Sequence, residues 1–553
     1  MHHFSLLLPT YNTPVHLLDA CIRSVFEQTH AAWQLCIVDD GSTSTETLCY
    51  LRGLTNLGDE RVVVQFLDEN IGISGATNKA LELATGKFVV LLDHDDLLEP
   101  DALELISGYL TRYGELDFVY SDEYHLYPDG SVHDFVKPDW SPERLRSQMY
   151  ICHLLVVRTS LAIEVGGMRV GFEGAQDHDF ALRISENTTR IGHIPLSLYY
   201  WRVNPMSFSN VGETRGRSLE AGRRAVQEHC DRVGINAVVE HGPHPGTYRL
   251  KRALTGTPKV SVVIPTRGTG TYVWGKYVSL VEQCVESLLS RTTYRNIEII
   301  VVADTSTPLS TIEFLSSLDA ETIRIVYYDR PFNFSDKINL GVVESTGDVV
   351  MLLNDDTMVI DEDWCHVMLG LLEHDDIGVV GNLLVFANQR LQHGGHQYVD
   401  GNPTHVGFNV DWTDGGAASM YGVEREVSGV TAAAAMLRRS VFDEVGGMST
   451  RFPNNFNDVD FCQKVRQRGY RIVWTPHAKM FHFESVSRNA TVTPREMWDL
   501  TLTWYREMRN DVYDSPIQPH LLEWVKSGER RKPGIPKLRR FSTSSVITGE
   551  LHG

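Results

Sequence analysis

Two runs of this chain place carboxylates where an apolar stretch ends. Leu91-Leu92-Asp93-His94-Asp95-Asp96 follows Phe88-Val89-Val90, and Leu352-Leu353-Asn354-Asp355-Asp356 follows Val349-Val350-Met351. Short apolar runs of this kind read as buried strands, so the aspartates fall at strand ends. Like charges crowded at a sheet edge are costly unless a cation neutralises them. Hard carboxylate oxygens suit Mg²⁺ or Mn²⁺ better than zinc; a plain acidic turn is the reading without chemistry. Two further segments, Gln176-Asp177-His178-Asp179-Phe180 and Asn457-Asp458-Val459-Asp460-Phe461, each follow a Gly-Gly turn and precede an amphipathic run. An aspartate there caps a helix or, beside a metal-like cluster, takes a proton from a hydroxyl as general base. Recurrence favours the base. His482, in Met480-Phe481-His482-Phe483, is a further candidate for the metal shell.

The resemblance between these pairs extends along the chain. Asp68, Asn78, Gly86 and Asp95 recur 261 residues later as Asp329, Asn339, Gly347 and Asp356. Leu6 to Thr10 returns as Val262 to Thr266 at an offset of 256, and Val165-Gly166-Gly167-Met168 as Val445-Gly446-Gly447-Met448 at an offset of 280. The growing offset implies an insertion in the second copy, expected between Gln392 and Phe408. Two copies of this length are tandem domains and not a solenoid. Within each copy, short apolar runs (Leu35 to Asp39, Val62 to Leu67, Ile299 to Val302) alternate with helix-length amphipathic segments (Val15 to Gln28, Leu280 to Ser290). That pattern predicts an α/β fold with mainly parallel central sheets covered on both faces. Ligands of such sheets sit beyond the carboxyl ends of the strands. The residues there are Thr10-Tyr11 and Asp39-Asp40 in the first copy, and Thr266-Arg267 and Asp304 in the second. An aspartate in such a place accepts from a nucleobase or a ribose hydroxyl, or simply makes a turn.

Composition narrows the class. Among 553 residues, 51 are basic and 71 acidic, a net charge of −20, so a general grip on nucleic acid has no electrostatic support. No apolar run approaches the roughly 18–20 residues that span a bilayer, and the N-terminus reads as a first strand with no signal peptide. Eight scattered cysteines without a Cys-x-x-Cys read as reduced thiols, which points to the cytoplasm. No dinucleotide fingerprint, P-loop, Gly-x-Ser-x-Gly or His-Glu-x-x-His is present. The expected domains are 1–240 and 259–515, with a Gly/Pro-rich linker at 241–258 and a tail at 516–553. Between Lys526 and Arg540 the tail carries seven basic residues against Glu529 alone. It reads as a solvated tail, with contact to anionic lipid as the functional alternative.

As a set, these motifs resemble the inverting family 2 glycosyltransferases of GT-A fold, in the two-domain bacterial form associated with O-antigen and other surface polysaccharides. Arg330-Pro331-Phe332-Asn333-Phe334-Ser335, Phe456 to Cys462 and the His482 segment are similar to that type, and the resemblance covers about residues 4 to 490. It implies two tandem nucleotide-sugar-binding domains, bifunctional, with Asp177 and Asp458 as bases. It implies a divalent ion, Mg²⁺ or Mn²⁺, at Asp95 in the first copy and at Asp356 and His482 in the second. The nucleotide-sugar donor (UDP-, dTDP- or GDP-linked) would meet Pro9, Thr10, Tyr11, Asp39, Asp40, Asp68, Asn78 and Asp93, and Pro265, Thr266, Arg267, Asp304, Asn339 and Asp355. The acceptor is expected to be a growing, lipid-linked glycan at the inner face of the cell membrane. The first copy departs from the family in Asn204, where a histidine is usual, and in Gln176; the second departs in Asn354 and Asn457. One active and one degenerate domain, or a binder without turnover, are the alternatives.

Overall fold

A computed structural model of the chain describes residues 2–203, 212–483, 492–509 and 511–513. The chain forms two compact units, one drawn from residues 2–137 and 151–221, the other from 138–150 and 222–513. Within the segment expected as a linker, the strand Tyr248–Arg252 pairs antiparallel with Ala237–His241, which precedes it, in unit 2. Asn204 and the basic run 526–540 lie outside the described residues.

Unit 1 is built on a sheet in the order Val62–Phe66, Trp33–Asp39, Phe4–Thr10, Phe88–Leu91, Leu155–Arg158, Phe118–Leu126, Ile191–Arg202, Leu97–Leu98. The first four run parallel; the remaining neighbours are antiparallel except for the parallel pair Phe118–Leu126 and Ile191–Arg202. Unit 2 repeats the plan with Ile323–Tyr328, Ile297–Asp304, Val260–Thr266, Val349–Leu353, Ala434–Arg438, Ile377–Val385, Arg471–His482 and Thr357–Val359. The α/β reading with two such sheets therefore holds, with the difference that each sheet is mixed: the first four strands are parallel, and a further parallel pair, Phe118–Leu126 with Ile191–Arg202 or Ile377–Val385 with Arg471–His482, lies among antiparallel neighbours. Phe4–Thr10 and Val260–Thr266 are buried along their whole length because both faces are covered. Their apolar side chains join cores that include Leu6, Leu8, Ile37 and Val90 in one unit and Val262, Ile264, Val301 and Met351 in the other.

Several of the recurring residues prove to be framework. The hydroxyls of Ser5 and Ser261 accept from the amides of Gly86 and Gly347 at 2.8 Å. A Cβ at either glycine would stand 2.5–2.6 Å from the neighbouring strand backbone, which accounts for the repeated Thr-Gly. The insertion anticipated in the second copy is seen as the strands Leu391–His393, His396–Val399 and Asn402–His405. A second insertion was not foreseen. Four residues separate the first strand of unit 1 from its helix Val15–Phe26, whereas thirteen separate Val260–Thr266 from Leu280–Arg291. They form the hairpin Gly270–Val273 and Lys276–Ser279.

Candidate active sites at the strand ends

In unit 1 the turn after Phe88–Leu91 brings Asp93 against His153, with Oδ2 3.4 Å from Nε2. Asp96 turns inward, accepting from the Tyr199 hydroxyl at 2.8 Å and the Arg202 amide at 2.7 Å. One ligand atom each from Asp93, Asp96 and His153 lies within 4.8 Å of the others, an arrangement that suits a divalent ion. Asp95 is not part of that group: only its backbone carbonyl is engaged, by Arg202 Nε at 2.7 Å. The turn expected to present Asp95 to an ion instead groups Asp93 and Asp96 with His153, Tyr199 and Arg202. Burial opposes the charge on Asp93, but His153 holds its carboxyl below the usual range. The imidazole is itself raised to about 9 despite burial, by Asp93 and Glu123. Beneath it, the buried Lys137 ammonium pairs with Glu123 at 3.0 Å.

Asp177 occupies the first turn of helix Gln176–Asn187, where it accepts from the next backbone amide, His178 N, at 2.8 Å. The residue before the helix, Ala175, offers no side-chain cap, and burial pushes the Asp177 carboxyl up from the usual range. The neighbouring Asp179 is committed to Arg169 and Arg183. Of the expected donor contacts, Tyr11 is exposed and Pro9 and Thr10 end the first strand. Asp39 accepts from Ser42 N at 3.1 Å through Oδ2, while its buried Oδ1 has no hydrogen-bond partner. Asp40 receives the amides of Ile71 and Gly72 at 2.8 and 3.0 Å, which ties it to the start of helix Gly72–Leu83. Asp68 is exposed.

Unit 2 encloses a cavity of about 230 Å³ lined by Pro265, Thr266, Arg267, Asn354, Asp355, Asp356, Asp458 and His482. The sequence-predicted residues of this copy converge there, apart from Asp304 and Asn339. Thr266 donates to Asp355 Oδ2 at 2.6 Å, and Asp356 Oδ1 lies 3.1 Å from His482 Nε2. Burial, then the charge of Asp356, pushes the Asp355 carboxyl up. The Asn354 Oδ1 atom is buried with no hydrogen-bond partner, so this donor set also fits a cation. Asp458 accepts from Val459 N at 2.9 Å and Ala432 N at 3.4 Å, with His396 Nε2 at 3.8 Å. Asp304 sits at the edge of this group, paired with buried Lys337 at 2.7 Å and with Arg267 at 3.3 Å.

Two corrections follow. Asn78 and Asn339 do not face the donor site: each amide donates to and accepts from the backbone of Met168 or Met448, at 2.7–2.9 Å. They lock the Gly-Gly turns, whose glycines have φ between +65° and +81°. The imidazoles, moreover, come from different places in the two copies: His482 ends the strand Arg471–His482, whereas His153 lies just before the strand Leu155–Arg158. Strand register pairs Thr357 with His482 and Leu97 with Tyr200, so Trp201 occupies the position of His482. Conversely, the pairing of Phe88 with Arg158 and Val349 with Arg438 aligns His153 with Ala433. Sequence reasoning missed His153, Glu123, Lys137 and Lys337, because only the folded sheet brings them to the aspartates. Gln392, whose Oε1 accepts from His482 Nδ1 at 2.7 Å, and the neighbouring His393 and His396 came within the suspected insertion without an assigned role.

The glycosyl transferase family 2 model matches residues 5–161 and 261–446. The chain is 38% identical over 500 residues to Uncharacterized protein y4gI of Sinorhizobium fredii, covering 89% of this chain and 54% of that protein. It is 33% identical over 545 residues to the O-antigen biosynthesis protein RfbC of Myxococcus xanthus, covering 96% of this chain and 41% of that protein. The chain thus spans about half the length of these relatives. Among solved structures, S. aureus TarS 1-349 in complex with UDP-GlcNAc matches 41% of this chain and 66% of its own at 20% identity, with a TM-score of 0.34. With the family model falling on both units and covering both aspartate-bearing strand ends, the chain belongs to glycosyl transferase family 2.

Proposed function

We propose that the chain is an inverting glycosyltransferase with two sites, moving sugars from nucleotide-sugar donors to a growing surface glycan. The observation that carries this is the recurrence, in both units, of one carboxylate and imidazole group at the strand end and one aspartate in the first turn of a following helix. The O-antigen relative supports a polysaccharide acceptor, and a lipid-linked acceptor at the cytoplasmic membrane face belongs to the same proposal. No helix among the described residues is long and apolar enough to cross a membrane.

In each site Asp177 or Asp458 accepts the proton of an acceptor hydroxyl. The freed oxygen attacks the anomeric carbon from the face opposite the nucleoside diphosphate, and the C–O bond to the diphosphate breaks with its electron pair leaving on phosphate. Configuration inverts in this single displacement. Asp93, Asp96 and His153, and in unit 2 Asp356 and His482, would hold the divalent ion. Bound there, Mg²⁺ or Mn²⁺ supplies positive charge to the leaving diphosphate. Arg267 and Lys337, held by Asp304, add positive charge beside the donor in unit 2. A second reading, in which only one unit turns over, is favoured by the replacement of Asp93 by Asn354. The test is nucleoside diphosphate release from UDP-, dTDP- and GDP-sugars by the full chain, with Mn²⁺ and with EDTA. Release from at least one donor that EDTA abolishes is expected; no release from any donor under either condition contradicts the proposal.

A further inference from the structure

The hairpin inserted between the first strand and first helix of unit 2 has a feature that the fold itself does not require. Its two-residue turn is Trp274-Gly275, with φ of +47° and +79°. Turns with positive φ at both central positions favour Asn-Gly, Asp-Gly or Gly-Gly, and a bulky aromatic is poorly suited to the first place. Strain of this kind persists where the residue has a task beyond the turn. Trp274 is also fixed in place. Its indole N–H donates to the Ala387 carbonyl at 3.0 Å, and its ring meets Phe481 and Phe483 edge-to-face at 5.2 and 5.5 Å. Those two phenylalanines flank His482 in the chain.

Despite these contacts Trp274 remains 59% exposed, beside Tyr272 at 74% and Tyr277 at 63%. The two tyrosine rings pack edge-to-face at 5.5 Å. Phe332 and Phe408, both exposed, line the cavity that holds Asp458. Rings that are held in place but left uncovered offer flat, preorganised faces with little entropy to lose on binding. The C–H faces of a pyranose carry partial positive charge and meet the negative face of an aromatic ring, while its hydroxyls stay in water.

We propose that the hairpin Gly270–Ser279 is a saccharide-stacking platform that holds the acceptor glycan at the mouth of the Asp458 cavity, with Trp274 and Tyr272 as the principal rings. The proposal rests on the glycosyltransferase reading of that cavity and adds the residues that grip the acceptor. Its continuity with the cavity, through Phe481 and His482, argues for the acceptor as occupant. The hairpin offers one basic residue, Lys276, where an anionic lipid surface would call for a cluster. Unit 1, with four residues in place of the hairpin, has no counterpart, so the two sites grip their acceptors differently.

The test compares the full chain with Trp274→Asn, which suits the turn, and Tyr272→Ser, at an exposed strand position. Binding is read by fluorescence anisotropy of labelled tetrasaccharides of N-acetylglucosamine, of rhamnose and of alternating hexosamine and uronic acid. Donor hydrolysis in the absence of acceptor is read in parallel. The parent is expected to bind at least one tetrasaccharide, and each variant to weaken it about three- to tenfold with donor hydrolysis and thermal midpoint retained. Equal binding by parent and variants, no tetrasaccharide bound by the parent, or binding only to phosphatidylglycerol vesicles would overturn the platform. A parent that binds a tetrasaccharide through the hairpin but hydrolyses no donor would leave the platform standing and overturn the glycosyltransferase reading instead.

Discussion

Glu143 lies in the short stretch 138–150 that interrupts unit 1 in sequence and belongs to unit 2. Its carboxylate is fully buried and faces three guanidinium groups: Arg146 at 2.5 Å, Arg252 at 2.7 Å and Arg471 at 3.3 Å. Glu143→Gln keeps the shape and removes the charge. Breaking a buried pair costs about 3–5 kcal/mol. The lower end applies, since Arg252 keeps Glu424 at 2.6 Å and Arg471 keeps Asp376 at 2.7 Å. For a unit of about 300 residues, with an unfolding entropy of about 2.1 cal/mol/K per residue, a loss of about 3 kcal/mol lowers the thermal midpoint by about 5 °C. Burial opposes the Glu143 charge, but the three arginines hold its carboxyl well below the usual carboxylate range. A depressed folded pKa contributes stability that is complete above the unfolded value of about 4.3 and is lost as pH falls through the folded one. The gap between parent and variant is therefore expected to be constant from about pH 5 to 8 and to narrow only below about pH 4. Calorimetry of the full chain checks this by resolving the transition of each unit. An unchanged unit 2 transition, or a drop confined to unit 1, would refute both the energetics and the assignment of 138–150 to unit 2.

The remaining expectations are more local. Asn339→Ala removes both hydrogen bonds to Met448 and should destabilise unit 2 by about 2–4 kcal/mol, read as a lower denaturant midpoint. Lys337→Met leaves Asp304 with Arg267 alone and is expected to weaken nucleoside diphosphate binding to unit 2 about tenfold by calorimetric titration; unchanged affinity would remove Lys337 from the donor site. His153→Ala and His482→Ala should each weaken one Mn²⁺ site about tenfold or more in electron paramagnetic resonance titrations. Loss of both sites in either variant would show that the units do not bind the ion independently.

The tandem architecture was legible because buried strands of a covered sheet must be nearly all apolar, and that pattern recurs with its closing aspartates. The identity of the aspartates was legible for the same reason in Asp355, Asp356 and Asp458, which meet in one cavity. Recurrence alone, however, does not distinguish chemistry from framework. Asn78 and Asn339 recur because a Gly-Gly turn with positive φ needs a side chain to lock it, and Gly86 and Gly347 recur because no Cβ fits. The imidazoles show the opposite limit. His482 reaches its strand end from the end of one strand and His153 from the loop before another, so no offset relates them, and only the register of the antiparallel pairs reveals the exchange with Ala433 and Trp201. Lys337 was hidden for a related reason: a lysine inside the helix Phe334–Glu344 reads as a surface residue until the sheet places Asp304 beneath it.

The central claim is that each unit carries its own base and its own transfer. Its most direct measurement is product analysis by mass spectrometry and linkage-specific glycosidase digestion, for the full chain and for Asp177→Asn and Asp458→Asn separately, with the donors that the parent accepts. Loss of a different linkage in each variant, with the other retained, is the predicted result. Full retention of both linkages in either variant would contradict the account.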